Sequence, residues 1–307
     1  FTPLQEAWDL VHKYYVDQPV DDVLLVQGAI RGMIEALGDA HSSYQDPQQL
    51  KEANMDLQGE YEGIGAYVNT DGEYLTITEP MPGSPAEKVG LLPGDQIIAI
   101  NGEDMTGTLP EVARLKVLGP KGSKVTLTIR RPEVEEPFDV EIERASIKVA
   151  TVEGEILDGN IAYVKIRSFS DQTDEDLRSL LEELLTKEPA GLIIDLRNNP
   201  GGLLRTAVSI ASEFLPEGVV LYEEYGDGSR DVHEVIRGGL ATEIPLVLLV
   251  NEYSASASEV VAGAIQDYGR GILIGETTYG KGSVQQIIEL SNEQGAVRLT
   301  IARWLTP

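Results

Sequence analysis

The chain has 307 residues, 51 acidic against 24 basic side chains, a formal net charge of −27 and no cysteine. At roughly 150 residues per domain the length accommodates about two domains with a sizeable core. So large a negative excess, spread along the chain rather than gathered in a tail, excludes nucleic acid and anionic membrane surfaces as partners, and the missing cysteine excludes disulfides, thiolate metal sites and cysteine nucleophiles.

Three scattered histidines, His12, His41 and His233, offer no zinc-ligand spacing, so no metal is expected. No apolar run reaches the ~18 residues of a membrane span. The first residue is Phe1 rather than an initiator methionine. A soluble piece of an exported protein is therefore expected, with any targeting segment outside it.

Residues 1–57 read as helices. Leu4, Ala7, Trp8, Val11 and Tyr15 share one helical face, and Val26, Ile30, Met33, Ile34 and Leu37 share another, closed by Gly38. A third helix is predicted to start at Asp46 as N-cap with Pro47 in its first turn. From Gly59 the period changes to two. Short runs at 74–78, 96–100 and 125–130, separated by Gly, Pro, Asn and Asp, predict a small β-rich module over 58–145.

Residues 146–307 alternate strand and helix. Aliphatic runs at 161–166, 191–196, 246–250 and 272–274 read as strands buried on both faces. Leu177, Leu180, Leu181, Leu184 and Leu185 mark one intervening helix, Leu204, Ala207, Val208, Ala211 and Phe214 a second, and 259–268 a third. This is an α/β layer architecture.

In such layers, ligands and nucleophiles collect where strand ends turn into helix starts. Two turns qualify. The first, Asp195-Leu196-Arg197-Asn198-Asn199-Pro200-Gly201-Gly202, has paired glycines that let the backbone turn sharply and aim N–H groups at a ligand, although a plain tight loop fits it equally well. The second, Asn251-Glu252-Tyr253-Ser254-Ala255-Ser256-Ala257-Ser258-Glu259, sets hydroxyls beside free N–H groups at the positive end of a helix. Helix capping explains one serine of the three.

No histidine is placed to act as base to such a serine. Lys281, flanked by Gly280 and Gly282, is the remaining candidate, provided that burial lowers its pKa. Gly275-x-x-x-x-Gly280-Lys281 has the spacing of a phosphate loop. Gly282 nevertheless replaces the Ser or Thr that would hold magnesium, and 284–290 reads as a strand, so a nucleotide is rejected.

Taken together, Leu37-Gly38-Asp39-Ala40-His41-Ser42-Ser43-Tyr44, the two turns and Tyr279-Gly280-Lys281-Gly282-Ser283-Val284-Gln285 resemble the carboxy-terminal processing proteases, Ser–Lys peptidases with an embedded PDZ module. The resemblance covers nearly the whole chain. It implies Ser256 as nucleophile, Lys281 as general base and Gln285 as the residue orienting the lysine. Ala257 N–H and that of Gly201 or Gly202 would form the oxyanion hole, with no cofactor needed. It also implies a crotonase-like α/β protease core, a PDZ domain whose Gly63, Ile64, Gly65 and Ala66 hold a substrate's terminal carboxylate, polypeptide C-termini as partners, and an extracytoplasmic location, periplasmic or secreted.

Asp267 matches a recurrent acidic position and reads as structural, since a carboxylate beside Lys281 would oppose base function. Departures from the family pattern are Ala40 for Pro and Leu118 for an Arg through which the PDZ module could signal. Relatives also continue with further strands after Pro307. Self-association stays open. Two other readings compete with the peptidase: a PDZ-type peptide binder with a silent α/β domain, and an acyl-CoA-handling enzyme, in which a PDZ insert would have no role.

Overall fold

The computed structural model describes residues 1–132 and 134–307. Helices Thr2–Tyr14 and Asp22–Glu35 open the chain, and Asp21 caps the second by accepting the N–H groups of Val23 and Leu24. Their helical spacing is as read, but their apolar faces find no core. The first helix buries no residue and the second only Ile34. The third, Pro47–Gln58, begins where expected, with the Asp46 carboxylate accepting from the N–H groups of Gln48 and Gln49.

The β-rich module is a sheet ordered Ala66–Asn69, Leu75–Pro80, Gln96–Ile100, Lys124–Arg130, Phe138–Glu143, with Glu103–Asp104 paired to Gln96–Ile100. Alternation along Lys124–Arg130 turns Val125, Leu127 and Ile129 inward onto Ile77, Ile97 and Ile142, all fully buried. The chain enters and leaves this module through one two-stranded antiparallel ribbon, Glu60–Gly63 against Ala145–Lys148.

The core sheet runs Val152–Leu157, Ile161–Ile166, Gly191–Asp195, Leu246–Val250, Ile272–Gly275. Its first pair is antiparallel and the rest are parallel. Helices Thr173–Leu185, Leu204–Ser212 and Ala257–Asp267 connect these strands. Phe169, Leu177, Ile194, Phe214, Leu248 and Val261 are fully buried in the shared core. A second, antiparallel sheet places Ala296–Leu305 between Ser43–Gln45 and Val219–Tyr225, adds Arg230–Glu234 at the outer edge, and pairs Ser283–Glu289 with Ala296–Leu305.

This second sheet corrects the expectation of a crotonase-like core. The parallel layer is only half of the core. The other half is antiparallel, takes one edge strand from residues 43–45, and begins its strand Ser283–Glu289 just after Lys281. The core thus joins strands distant in sequence rather than being wound from one continuous α/β run.

Candidate active site

The two glycine- and serine-bearing turns leave adjacent parallel strands, Gly191–Asp195 and Leu246–Val250, at the same sheet edge. The first is anchored by Asp195, fully buried, which accepts from the Tyr163 hydroxyl at 2.7 Å and from Arg197 Nε and Nη2 at 2.9 and 2.6 Å. Burial alone would raise the Asp195 pKa; the Arg197 and Tyr163 hydrogen bonds outweigh it and hold the carboxyl below its usual range.

Asn199, also buried, donates to Ile166 O at 2.8 Å and accepts the Gly201 N–H at 2.9 Å. Gly201 and Gly202 are required as glycines. Their φ values are +98° and +147°, and a Cβ on Gly201 would lie 2.6 Å from Ala255 O and 2.9 Å from Ala257 N. On Gly202 it would strike Phe169 O at 2.2 Å.

The second turn separates its three serines by what their hydroxyls do. Ser254, fully buried, donates to Leu196 O at 2.8 Å, and Ser258, fully buried, donates to Asn199 O at 3.0 Å. Both lace the second turn to the first. The half-buried Ser256 hydroxyl donates to nothing among the described residues. Ser256 is the N-cap of Ala257–Asp267 and has φ +55° and ψ −114°, a conformation that costs a non-glycine residue about 1–3 kcal/mol.

Glu259 joins the lysine segment to this turn. Its carboxylate accepts the N–H groups of Ser256 and Lys281 at 2.8 and 2.9 Å through one oxygen. Through the other it accepts the Gly280 N–H at 2.6 Å and the Thr278 hydroxyl at 2.8 Å. From the far side, Trp304 Nε1 donates to Lys281 O at 2.8 Å. The Lys281 side chain is half-buried. Burial first, and then the charge of Arg298, lower its pKa, while Glu259 and Asp39 act the other way.

The remaining expected residues fall as follows. Ala257 N–H opens the helix, and neither it nor the Gly202 N–H has an acceptor among the described residues, whereas the Gly201 N–H is taken by Asn199. Gln285, at a β-bulge, donates to Ser283 Oγ and Thr300 Oγ1 rather than to Lys281. Asp267 lies exposed at the opposite end of the helix from Ser256.

Gly63 ends the entry ribbon and Ala66 starts the next strand. Between them the carbonyls of Ile64 and Gly65 accept from Ala86 and Met81. None of these four residues lines the cavity beside Gly201. Sequence reasoning passed over the clamping role of Glu259, although Ser256-x-x-Glu259 is the spacing of a capping box. It also passed over Arg298, whose place depends on sheet pairing, while the tight-loop reading of the first turn already allowed for Asn side chains satisfying backbone groups, as Asn199 does for Gly201.

Family models match three segments: peptidase family S41 over residues 160–307, a PDZ domain over 76–131, and the activating protease CtpB N-terminal domain over 1–49. Carboxy-terminal processing protease CtpA of Bacillus subtilis is 41% identical over all of this chain and 65% of its own length. The carboxy-terminal-processing protease of Bartonella bacilliformis is 39% identical over 98% of this chain and 70% of its own. The chain thus spans just under two thirds of the length of CtpA and, at 64%, of CtpB from the same organism.

Among solved structures, the photosystem II D1 C-terminal processing protease aligns over 99% of this chain and 88% of its own, with 28% identity and a TM-score of 0.58. A putative S41 protease from Bacteroides fragilis shares the fold over 97% of this chain and 84% of its own, with 19% identity and a TM-score of 0.59. These likenesses confirm that the α/β core with its helices and β-rich insert has the fold of the processing proteases, in place of the crotonase-like one expected. The chain belongs to the carboxy-terminal processing protease family.

Proposed function

We propose that the chain is the catalytic part of a serine endopeptidase in which Ser256 is the nucleophile and Lys281 the general base. Neutral Lys281 takes the hydroxyl proton as Ser256 Oγ bonds to a peptide carbonyl carbon. The proton then passes to the leaving amine as the C–N bond breaks, and water hydrolyses the acyl-enzyme. The N–H groups of Ala257 and Gly202, at the positive end of a helix, receive the oxyanion; Gly202 is preferred to Gly201, whose N–H is engaged by Asn199. Gln285 acts, in this reading, through the hydroxyls of Ser283, on the strand that follows the lysine, and Thr300, opposite it on Ala296–Leu305.

One observation carries the assignment. Of the three serines only Ser256 keeps its hydroxyl proton uncommitted, and a single carboxylate, Glu259, holds the backbones of Ser256 and Lys281 together. The β-rich insert, with Gly63, Ile64, Gly65 and Ala66 as its carboxylate loop, presents the C-terminus of an unfolded polypeptide, as the PDZ match and the relatives' names support. The proposed boundaries are 1–57, 58–145 and 146–307. Kinship with these proteases supports an extracytoplasmic place of work, which we take to be periplasmic or secreted.

The test is incubation with an unfolded polypeptide ending in apolar residues, followed by mass spectrometry. Cleavage by the chain and none by Ser256→Ala is the expected result. Equal cleavage by both removes Ser256 from the mechanism.

A further inference from the structure

A cavity of about 550 Å³ opens beside the first turn, with Gly201 and Gly202 in its wall. Its apolar lining comes from separate parts of the molecule: Tyr61 and Val149 near the ribbon, Leu57 from the third helix, Phe169 from the core and Ile287 from the antiparallel sheet. The volume falls in the range of pockets that enclose a ligand. Among the described residues, two ionic side chains border it, Glu60 and Arg298.

These two charges are not equivalent. The Glu60 carboxylate accepts the Ser146 hydroxyl and so is held at the ribbon, across which Lys148 turns its ammonium to Gln172. Arg298 has Ser43 and Ile287 as cross-strand neighbours, both uncharged. Gln45, on the same wall, buries its side-chain carbonyl oxygen with no donor among the described residues. Buried acceptors are normally paired, and the N–H of a peptide threading the cavity is a donor of the right kind.

We propose that this cavity is the subsite for substrate residues next to the scissile bond, and that Arg298 makes it accept apolar and acidic side chains while rejecting Lys and Arg. The inference rests on the peptidase reading above and adds substrate selection to it. A cationic side chain entering the cavity would lose hydration and meet a like charge, whereas a carboxylate would form a charge-assisted pair. A protein of net charge −27 draws cations to its surface, so discrimination against them has to be local.

The test uses unfolded polypeptides differing only at the residues flanking one mapped cleavage site, which carry Leu, Glu or Lys. The kcat/KM values are compared for wild type, Arg298→Gln and Arg298→Glu. Arg298 also acts on Lys281 through its charge, and the Glu-to-Lys substrate ratio cancels any loss common to all substrates. Wild type is expected to favour the Glu substrate over the Lys substrate by about tenfold or more, Arg298→Gln to bring the ratio near one, and Arg298→Glu to invert it. The same ratio in all three enzymes overturns the inference and leaves the peptidase reading standing. Failure of folded wild type to cleave any of the polypeptides overturns both.

Discussion

Replacing Glu259 by Gln probes the clamp that holds the two halves of the site together. One carboxylate oxygen accepts from Ser256 N–H and Lys281 N–H at 2.8 and 2.9 Å, the other from Gly280 N–H and Thr278 Oγ1 at 2.6 and 2.8 Å. A glutamine keeps one oxygen. Turned one way, its NH₂ group faces the N–H groups of Ser256 and Lys281 and both bonds are lost; turned the other way it loses the Gly280 bond, while the Thr278 hydroxyl, able to accept as well as donate, keeps its own. Hydrogen bonds to a charged acceptor contribute about 1.5–3 kcal/mol each, which puts the deficit of the less costly orientation at about 1.5–3 kcal/mol before the loop relaxes.

The fold should survive, because Val260, Val261, Ala264 and Ile265 keep the helix buried in the core. The deficit therefore falls on the alignment of Ser256 with Lys281, where a displacement of about 1 Å is enough to lower the rate about a hundredfold. Peptide cleavage kinetics and urea unfolding, measured on the same preparation, read the two effects separately. Activity within about threefold of wild type, with an unchanged unfolding midpoint, would refute the clamp.

Because burial and Arg298 disfavour the Lys281 ammonium, the neutral base gains population with rising pH below the ordinary lysine range, so kcat/KM should climb with pH; Arg298→Gln should move that limb to higher pH, and an unmoved limb contradicts the electrostatic account. Asp39 is held to about 2 by the Ser42 and Thr300 hydroxyls and the His41 N–H. A carboxylate depressed in the fold stabilises it above the unfolded value of roughly 4 and loses that contribution as the pH falls from about 4 to 2. In thermal unfolding, Asp39→Asn should therefore be less stable than wild type at neutral pH and converge with it near pH 2; an equal gap at both pH values argues against it. Capping a substrate's C-terminus as an amide should raise KM if residues 63–66 hold the carboxylate, and identical kinetics for acid and amide would remove that role.

The parallel half of the core was readable because its central strands are aliphatic runs, as at Gly191–Asp195 and Leu246–Val250. The antiparallel half was readable only in its strand at 284–290. It joins Ser43–Gln45 to Ala296–Leu305, a pairing across most of the chain, and Arg230–Glu234 carries polar residues with little apolar pattern. The helical periodicity of the first two helices was correct, yet periodicity does not say what covers a face, and these faces stay exposed.

At the site, Ser-Ala-Ser-Ala-Ser marked the turn, but only the partners of Ser254 and Ser258 on the neighbouring loop tell the three hydroxyls apart. The choice between Gly201 and Gly202 likewise depended on the Asn199 side chain, and the link from Arg298 to Lys281 on sheet register.

The central claim, that the uncommitted hydroxyl is the nucleophile, is tested most directly by cleavage time courses for Ser254→Ala, Ser256→Ala and Ser258→Ala, each checked for folding. Ser258→Ala loses one buried bond and Ser254→Ala two, to Leu196 O and from Asn251 N–H, each worth about 1 kcal/mol, so both variants should stay folded and retain much of the activity, while Ser256→Ala should be folded and inactive. A folded, inactive Ser254→Ala beside an active Ser256→Ala would contradict the account.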